Sequence, residues 1–171
     1  KNNKNDKQKS NYKNNNYIKQ EGVYDFLFVG CDKQGVELMN NLVNYFNRMY
    51  PMKVIINLGM YPLYPDIMKL FKQSVNKMKG NLDFNNKLGI FIGQDGIGLS
   101  MCANKIKKIR AAVCNNINDV FGAVTRQNMN VLCMSSALNG TDMINIVESY
   151  MRLEFQSVDI HMKCVEKIDK M

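Results

Sequence analysis

The chain contains no apolar run of about eighteen residues or more, which excludes an ordinary membrane-spanning helix. Its first residues lack the apolar core of a secretory signal. There is no Cys-x-x-Cys pair. The five cysteines, Cys31, Cys102, Cys114, Cys133 and Cys164, are odd in number and widely spaced. Neither a zinc site nor a redox pair is indicated. The thiols read as reduced core side chains of a cytoplasmic protein. A single histidine, His161, is present, and a lone histidine reads as structural. Acidic residues are the scarcer charge, 15 against 23 basic, for a net charge of +8. Most of that excess is local. Residues 1–20 hold six Lys and one Asp, a net +5, and the 17 basic and 14 acidic residues that remain leave +3. No Lys/Arg stripe interleaved with aromatics follows, so nucleic acid is not an expected partner.

Residues 1–20 are almost entirely Lys, Asn, Gln, Ser and Tyr. They hold too little apolar surface to offset chain entropy, so a disordered tail is expected, followed by one domain over residues 21–171. That length is enough to bury a sizeable core.

Apolar runs and helical periodicities alternate along the domain. Strands are expected at 24–29, 53–58, 88–92, 109–114 and 130–135, where Val, Ile and other apolar residues form short continuous runs. Helices are expected at 34–49, from Pro65 to Met78, at 97–107, at 118–126 and at 141–155. Val36, Met39, Leu42, Val43 and Phe46 mark the buried face of the first. Pro51 ends that helix, and Pro65 suits the first position of the second. Asn139 or Thr141 can cap the last. The segment 157–171 has no clear shape. Strands alternating with helices point to an α/β fold with a parallel sheet, helices on both faces and right-handed crossovers.

The most informative stretch runs from Lys87 to Cys114. The apolar strand Leu88–Ile92 leads into Gly93, Gly96 and Gly98, and a helix begins at that junction. Glycines let the backbone approach a ligand, and the free N–H groups of a first helical turn point at it. Ligands of such sheets bind beyond the carboxyl ends of the strands, at a switch point. Asp32 and Gln94–Gly98 are expected to face one crevice there.

Read together, Gly96-Ile97-Gly98-Leu99-Ser100, Ala103-Asn104-Lys105 and Ile109-Arg110-Ala111 resemble the core motif of the type B ribose 5-phosphate isomerases and galactose 6-phosphate isomerases. Gly30-Cys31-Asp32 with Gly35, Tyr64-Pro65, Asn130-Val131-Leu132 and Glu154-Phe155 extend the resemblance from about Tyr24 to Val165. It implies a single Rossmann-like three-layer domain with a five-stranded parallel sheet in the order 2-1-3-4-5. It also implies a homodimer with shared sites, and isomerisation of ribose 5-phosphate to ribulose 5-phosphate through an enediolate, a step of the pentose phosphate pathway, with no metal or organic cofactor.

The resemblance also shows what is missing. The family's catalytic Cys position is Gly93, and its anion-hole Thr position is Asp95. The His after the first strand is Lys33. The ring-opening His, which the neighbouring subunit supplies, is Arg126, and the Asn after it is Gln127. The Arg after the fifth strand is Ala137, and the C-terminal arginines fall near Ile160 and on Cys164. A variant route through a Glu is closed, because that position is Leu99. Three readings follow. The first is a non-catalytic member that keeps the dimer and a crevice for a sugar phosphate or other small anion, lined by Asp32, Lys33, Gln94, Gly96, Ile97, Gly98, Arg126 and Gln127. The second is an active isomerase with Asp95 as base and Lys33 or Arg126 on the phosphate. The third is a binding or scaffold protein for a macromolecule.

Overall fold

The computed structural model describes residues 26–171, so the tail at 1–20 and the first residues of the expected first strand lie outside it. The described elements are β1 (Phe26–Cys31), α1 (Val36–Met49), β2 (Val54–Met60), α2 (Tyr64–Met78), β3 (Gly89–Gly93), α3 (Ile97–Ala103), β4 (Ala111–Val113), α4 (Ile117–Gln127), β5 (Val131–Ser135), α5 (Gly140–Arg152) and α6 (Asp159–Lys170). All strand pairs are parallel. Helices cover both faces, which is the α/β layering expected from the sequence.

The sheet order is β2-β1-β3-β5-β4, so the last two strands are exchanged relative to the 2-1-3-4-5 expectation. The distribution of the core gives the reason. Leu27, Val29, Ile90, Ile92, Leu132 and Met134 face α1, α4 and α5, whose Phe46, Val124 and Tyr150 join them in one cluster. Phe28, Phe91, Val131 and Cys133 face α2 and α3, with Ile67, Phe71 and Leu99 in a second cluster. A right-handed crossover places its helix on a face set by the direction of travel across the sheet. Because α4 shares a face with α1, it must carry the chain in the same sense, inward from β4 to β5. The other order would place α4 beside α2 and α3. Burial agrees: Val131–Met134 of β5 are buried, whereas β4 is three half-buried residues at the edge.

Local signals fix the ends. Asn116 caps α4 and Asn139 caps α5, each accepting the N–H three residues on. Asn128, with φ 51, closes α4 in the left-handed conformation. The α3 helix stops at Ala103, short of the expected Lys107. There the Asn104 side-chain amide turns to the β4 edge, donating to the Ala111 carbonyl at 2.9 Å and accepting its N–H at 2.7 Å. The shapeless segment 157–171 contains α6, whose one buried residue is Val165. A single buried position gives no periodic stripe to read.

The amino ends of β3, β4 and β5 are held by a buried polar clamp. Arg110, 5% exposed, donates to the Asn128 carbonyl at 2.7 Å and the Phe84 carbonyl at 2.7 Å, and pairs with Asp169 of α6 at 2.9 Å. Asn130 accepts the Arg110 N–H and donates to the carbonyls of Phe84 and Lys108. Tyr150 donates to the Asn130 carbonyl at 2.6 Å.

The core thiols make stability pH-dependent. Burial, and then the nearby Asp32 carboxylate, pushes Cys31 from 9.0 up to about 11. Burial, and then Asp119, pushes Cys114 up to about 12. Both thiols hold their protons in the folded state over a range where the unfolded chain loses them. Their contribution is therefore full below pH 9 and falls as pH rises toward 12. The slope is about 1.4 kcal/mol per pH unit for each thiol. Urea midpoints that decline from pH 9 to pH 11 are expected, with a smaller decline in Cys114→Ala. A flat profile would contradict this burial.

Candidate functional site

The crevice lies at the carboxyl ends of β1, β3 and β5. Asp32 follows β1 directly and is 3% exposed. Its Oδ1 accepts the N–H groups of Gln34 at 2.9 Å and Gly35 at 3.0 Å, and its Oδ2 accepts that of Gln94 at 2.8 Å. Asp32 thus ties the loop after β1 to the loop after β3. A carboxylate held by backbone donors on all these sides is a positioning element rather than a free acid.

The loop after β3 is pinned from the other side too. Ser135 at the end of β5 donates its hydroxyl to the Gln94 carbonyl at 2.8 Å, and the Ser136 N–H reaches the Gly93 carbonyl at 2.7 Å. The Ser135 N–H in turn reaches Asn115 Oδ1 at 3.0 Å. Gly96 takes φ +75 with the Met134 backbone at 3.2 Å from any added Cβ. Both the dihedral and the space require glycine.

Two positions in this loop differ most in what they offer a ligand. At Gly93 a Cβ would stand 2.7 Å from Leu99 Cδ1 and 3.0 Å from Asp32 Oδ2. A side chain there would have to displace the Leu99 methyl and crowd the Asp32 carboxylate. Asp95 is exposed, but its Oδ1 accepts the Ile97 N–H at 2.8 Å. The first free donor of the turn is therefore engaged by the chain's own carboxylate.

Tyr64, at the start of α2, was legible as a motif residue but not as a wall of the crevice. Its ring lies over Gly98, where a Cβ would meet Tyr64 Cδ2 at 2.4 Å. Partial burial, then the charges of Asp32 and Asp95, hold its phenol above the usual range. Ser135 and Asn115 were also missed, since neither sits in a recognisable motif.

The structure brings Asp32, Gln94, Asp95, Gly96, Ile97 and Gly98 together, with exposed Lys33 on the turn after Asp32. Arg126 and Gln127 are not among them. They end α4 at the amino end of β5, at the opposite end of the strands from the crevice. Arg126 Nη2 folds back to 2.6 Å from where a Gly122 Cβ would be. Gln127 Oε1 faces Cys164 of α6 at 3.6 Å. His161 places Nδ1 3.1 Å from the Gln156 carbonyl, outside the crevice. Among the described residues, no His/Cys/Asp/Glu group could hold a metal ion, and no helix is long and apolar enough to cross a membrane.

The family profile described as Ribose/Galactose Isomerase matches residues 27–168. A Mycoplasma pneumoniae protein named "Probable ribose-5-phosphate isomerase B" is 33% identical over 150 residues, covering 83% of this chain and 91% of that protein. The galactose-6-phosphate isomerase subunit LacB of Clostridium acetobutylicum is 24% identical over 146 residues, covering 84% of this chain and 81% of its own. The Mycoplasma genitalium ribose-5-phosphate isomerase B structure with bound ribulose-5-phosphate superposes with a TM-score of 0.74 at 27% identity. It covers 86% of this chain and 96% of that one.

Proposed function

This chain belongs to the ribose/galactose isomerase family, and from that premise we propose that it keeps the family's sugar-phosphate crevice without the family's turnover. The observation that carries this reading is at Gly93. The base position has no side chain, and one there would have to displace Leu99 Cδ1 and crowd Asp32 Oδ2. An enediolate also requires donors aimed at its developing charge. Asp95 instead brings a carboxylate to that loop and takes up the Ile97 N–H. A sugar phosphate or other small anion is the proposed ligand, bound in the cytoplasm by Lys33 and the backbone of Gln94 to Gly98, without metal or organic cofactor.

The proposed assembly is a homodimer. Arg126 and Gln127 lie at the far end of the strands from their own crevice, and in a homodimer a second copy would bring them to one. Exposed apolar side chains on both sides of the sheet near its β4 edge, Met101 of α3 at 65% and Phe121 of α4 at 50%, are ones such a partner could cover.

A second reading, an isomerase that uses Asp95 as base, draws on one feature. The Asp95 Oδ2 has no hydrogen-bond partner among the described residues, and carboxylates do act on carbon acids. The test is ribose 5-phosphate turnover by the purified protein, followed as ribulose 5-phosphate. No rate above background is expected, and a family-like rate would overturn the reading.

A further inference from the structure

We propose that the groove at the amino end of β4 is a second ligand site, which takes a small anion with an apolar body such as an alkyl or aryl phosphate or sulfonate. The groove has a volume of about 770 Å³, within the range of small-molecule sites. It lies between the 104–108 turn, the start of β4, the end of α4 and the end of α6. The crevice of Asp32 and Asp95 of the same copy is at the other end of the strands, and Gln127, on the groove's wall, is the lining residue that the proposed homodimer would turn toward the partner's crevice.

Charge complementarity names the ligand's head. Lys105, Lys107, Lys108 and Lys170 all line the groove. The one acidic side chain among its lining residues is Asp169, and that is held by Arg110 at 2.9 Å. None of the four lysines has an ion pair among the described residues, so four like charges surround one hollow. Lysine ammonium groups bind phosphate and sulfonate as point charges. Lys108 also holds φ 66, a conformation a non-glycine residue rarely keeps, and rests its ammonium 5.5 Å from the centre of the Phe84 ring.

The floor names the body. Ile106, Ala111, Ala123, Met129 and Ile168 are apolar, and no aromatic residue lines the groove for a base to stack on. A sugar would need hydroxyl partners. Of the two side-chain amides, Asn104 is engaged by both backbone groups of Ala111 and the Gln127 oxygen accepts from Cys164, so among the described residues the Gln127 amino group is the amide donor left for a hydroxyl. The site therefore favours an alkyl or aryl group over a polyol, and its ligand differs from that of the crevice.

The test uses the full chain and the fluorescent probe 1-anilinonaphthalene-8-sulfonate. Saturable binding is expected, with displacement by octyl phosphate and none by octyl glucoside or ribose 5-phosphate. The exposed pair Lys107→Glu and Lys170→Glu should raise the probe's Kd by about tenfold or more. Lys107→Ala with Lys170→Ala should raise it less, and Asp95→Asn should leave it unchanged. The alanine pair keeps the comparison valid if the charge reversal disturbs folding. Displacement by ribose 5-phosphate would assign the probe to the crevice and overturn the proposal. So would displacement by octyl glucoside equal to that by octyl phosphate, an unchanged Kd in both lysine pairs, or no saturable binding at all.

Discussion

At pH 7 the purified protein is expected to isomerise ribose 5-phosphate at least about a hundredfold more slowly than a member with the family's Cys, Thr and His in place. A positioned general base is worth about a hundredfold to ten-thousandfold, and one anion-hole donor about a hundredfold to a thousandfold. Gly93 supplies no proton acceptor. Asp95 places a negative charge where the resemblance puts a hydroxyl donor. The resemblance puts Arg126 at the ring-opening position, and a guanidinium is no substitute for the acid–base pair of nitrogens that a histidine offers. These losses overlap, so their product is not the expected figure, but the lower end of either one sets the floor. Gly93→Cys is not expected to restore the rate. Its Cβ would begin 2.7 Å from Leu99 Cδ1 and 3.0 Å from Asp32 Oδ2. The new thiol would either displace the Asp32 carboxylate that ties the two loops together or sit outside the productive geometry. A coupled assay for ribulose 5-phosphate checks both proteins. Wild-type turnover within tenfold of an active family member would remove the non-catalytic reading.

The largest expected effect on stability comes from Arg110→Ala. Arg110 is buried, donates to the Asn128 and Phe84 carbonyls and pairs with Asp169. Its removal leaves two carbonyls without this donor and strands a half-buried carboxylate on α6. Breaking a buried pair of this kind costs about 3–5 kcal/mol. That is a large part of the roughly 5–15 kcal/mol available to a domain. Arg110→Lys should recover only part of the loss, because an ammonium cannot span these acceptors as the guanidinium fork does. Urea unfolding gives the size of the effect. Hydrogen exchange should show α6 loosening first, since Val165 is its one buried residue. A loss below about 1 kcal/mol would mean that water replaces the guanidinium at little cost.

The sequence carried the layering and the element order because each strand is a short apolar run and most helices have one apolar stripe. Phe28, Phe91 and Val131 against Leu27, Ile90 and Leu132 show the two buried faces that make those runs continuous. Strand order was less legible. It depends on which face α4 takes, and Val120 and Val124 identify that face only once the opposing strands are known. Helix α6 was invisible for want of buried positions. In the crevice, the glycines and Asp32 were readable because backbone geometry restricts what can stand there. The engagement of Asp95 with the Ile97 N–H was not readable, since an exposed loop acid can equally turn outward. Arg126 and Gln127 align with crevice residues of the family, yet in the folded chain they lie at the far end of the strands.

Asp95→Asn separates the non-catalytic reading from the active one most directly. Asparagine keeps an oxygen for the Ile97 N–H, so the loop retains its shape while one negative charge leaves the crevice. Wild type and variant should be compared for ribose 5-phosphate turnover and, by calorimetry, for inorganic phosphate binding. The expected result is no turnover by either protein, with the variant binding phosphate more tightly, by about tenfold for roughly 1.4 kcal/mol of relieved repulsion. Measurable turnover by the wild type that the substitution abolishes would contradict this and identify Asp95 as the base.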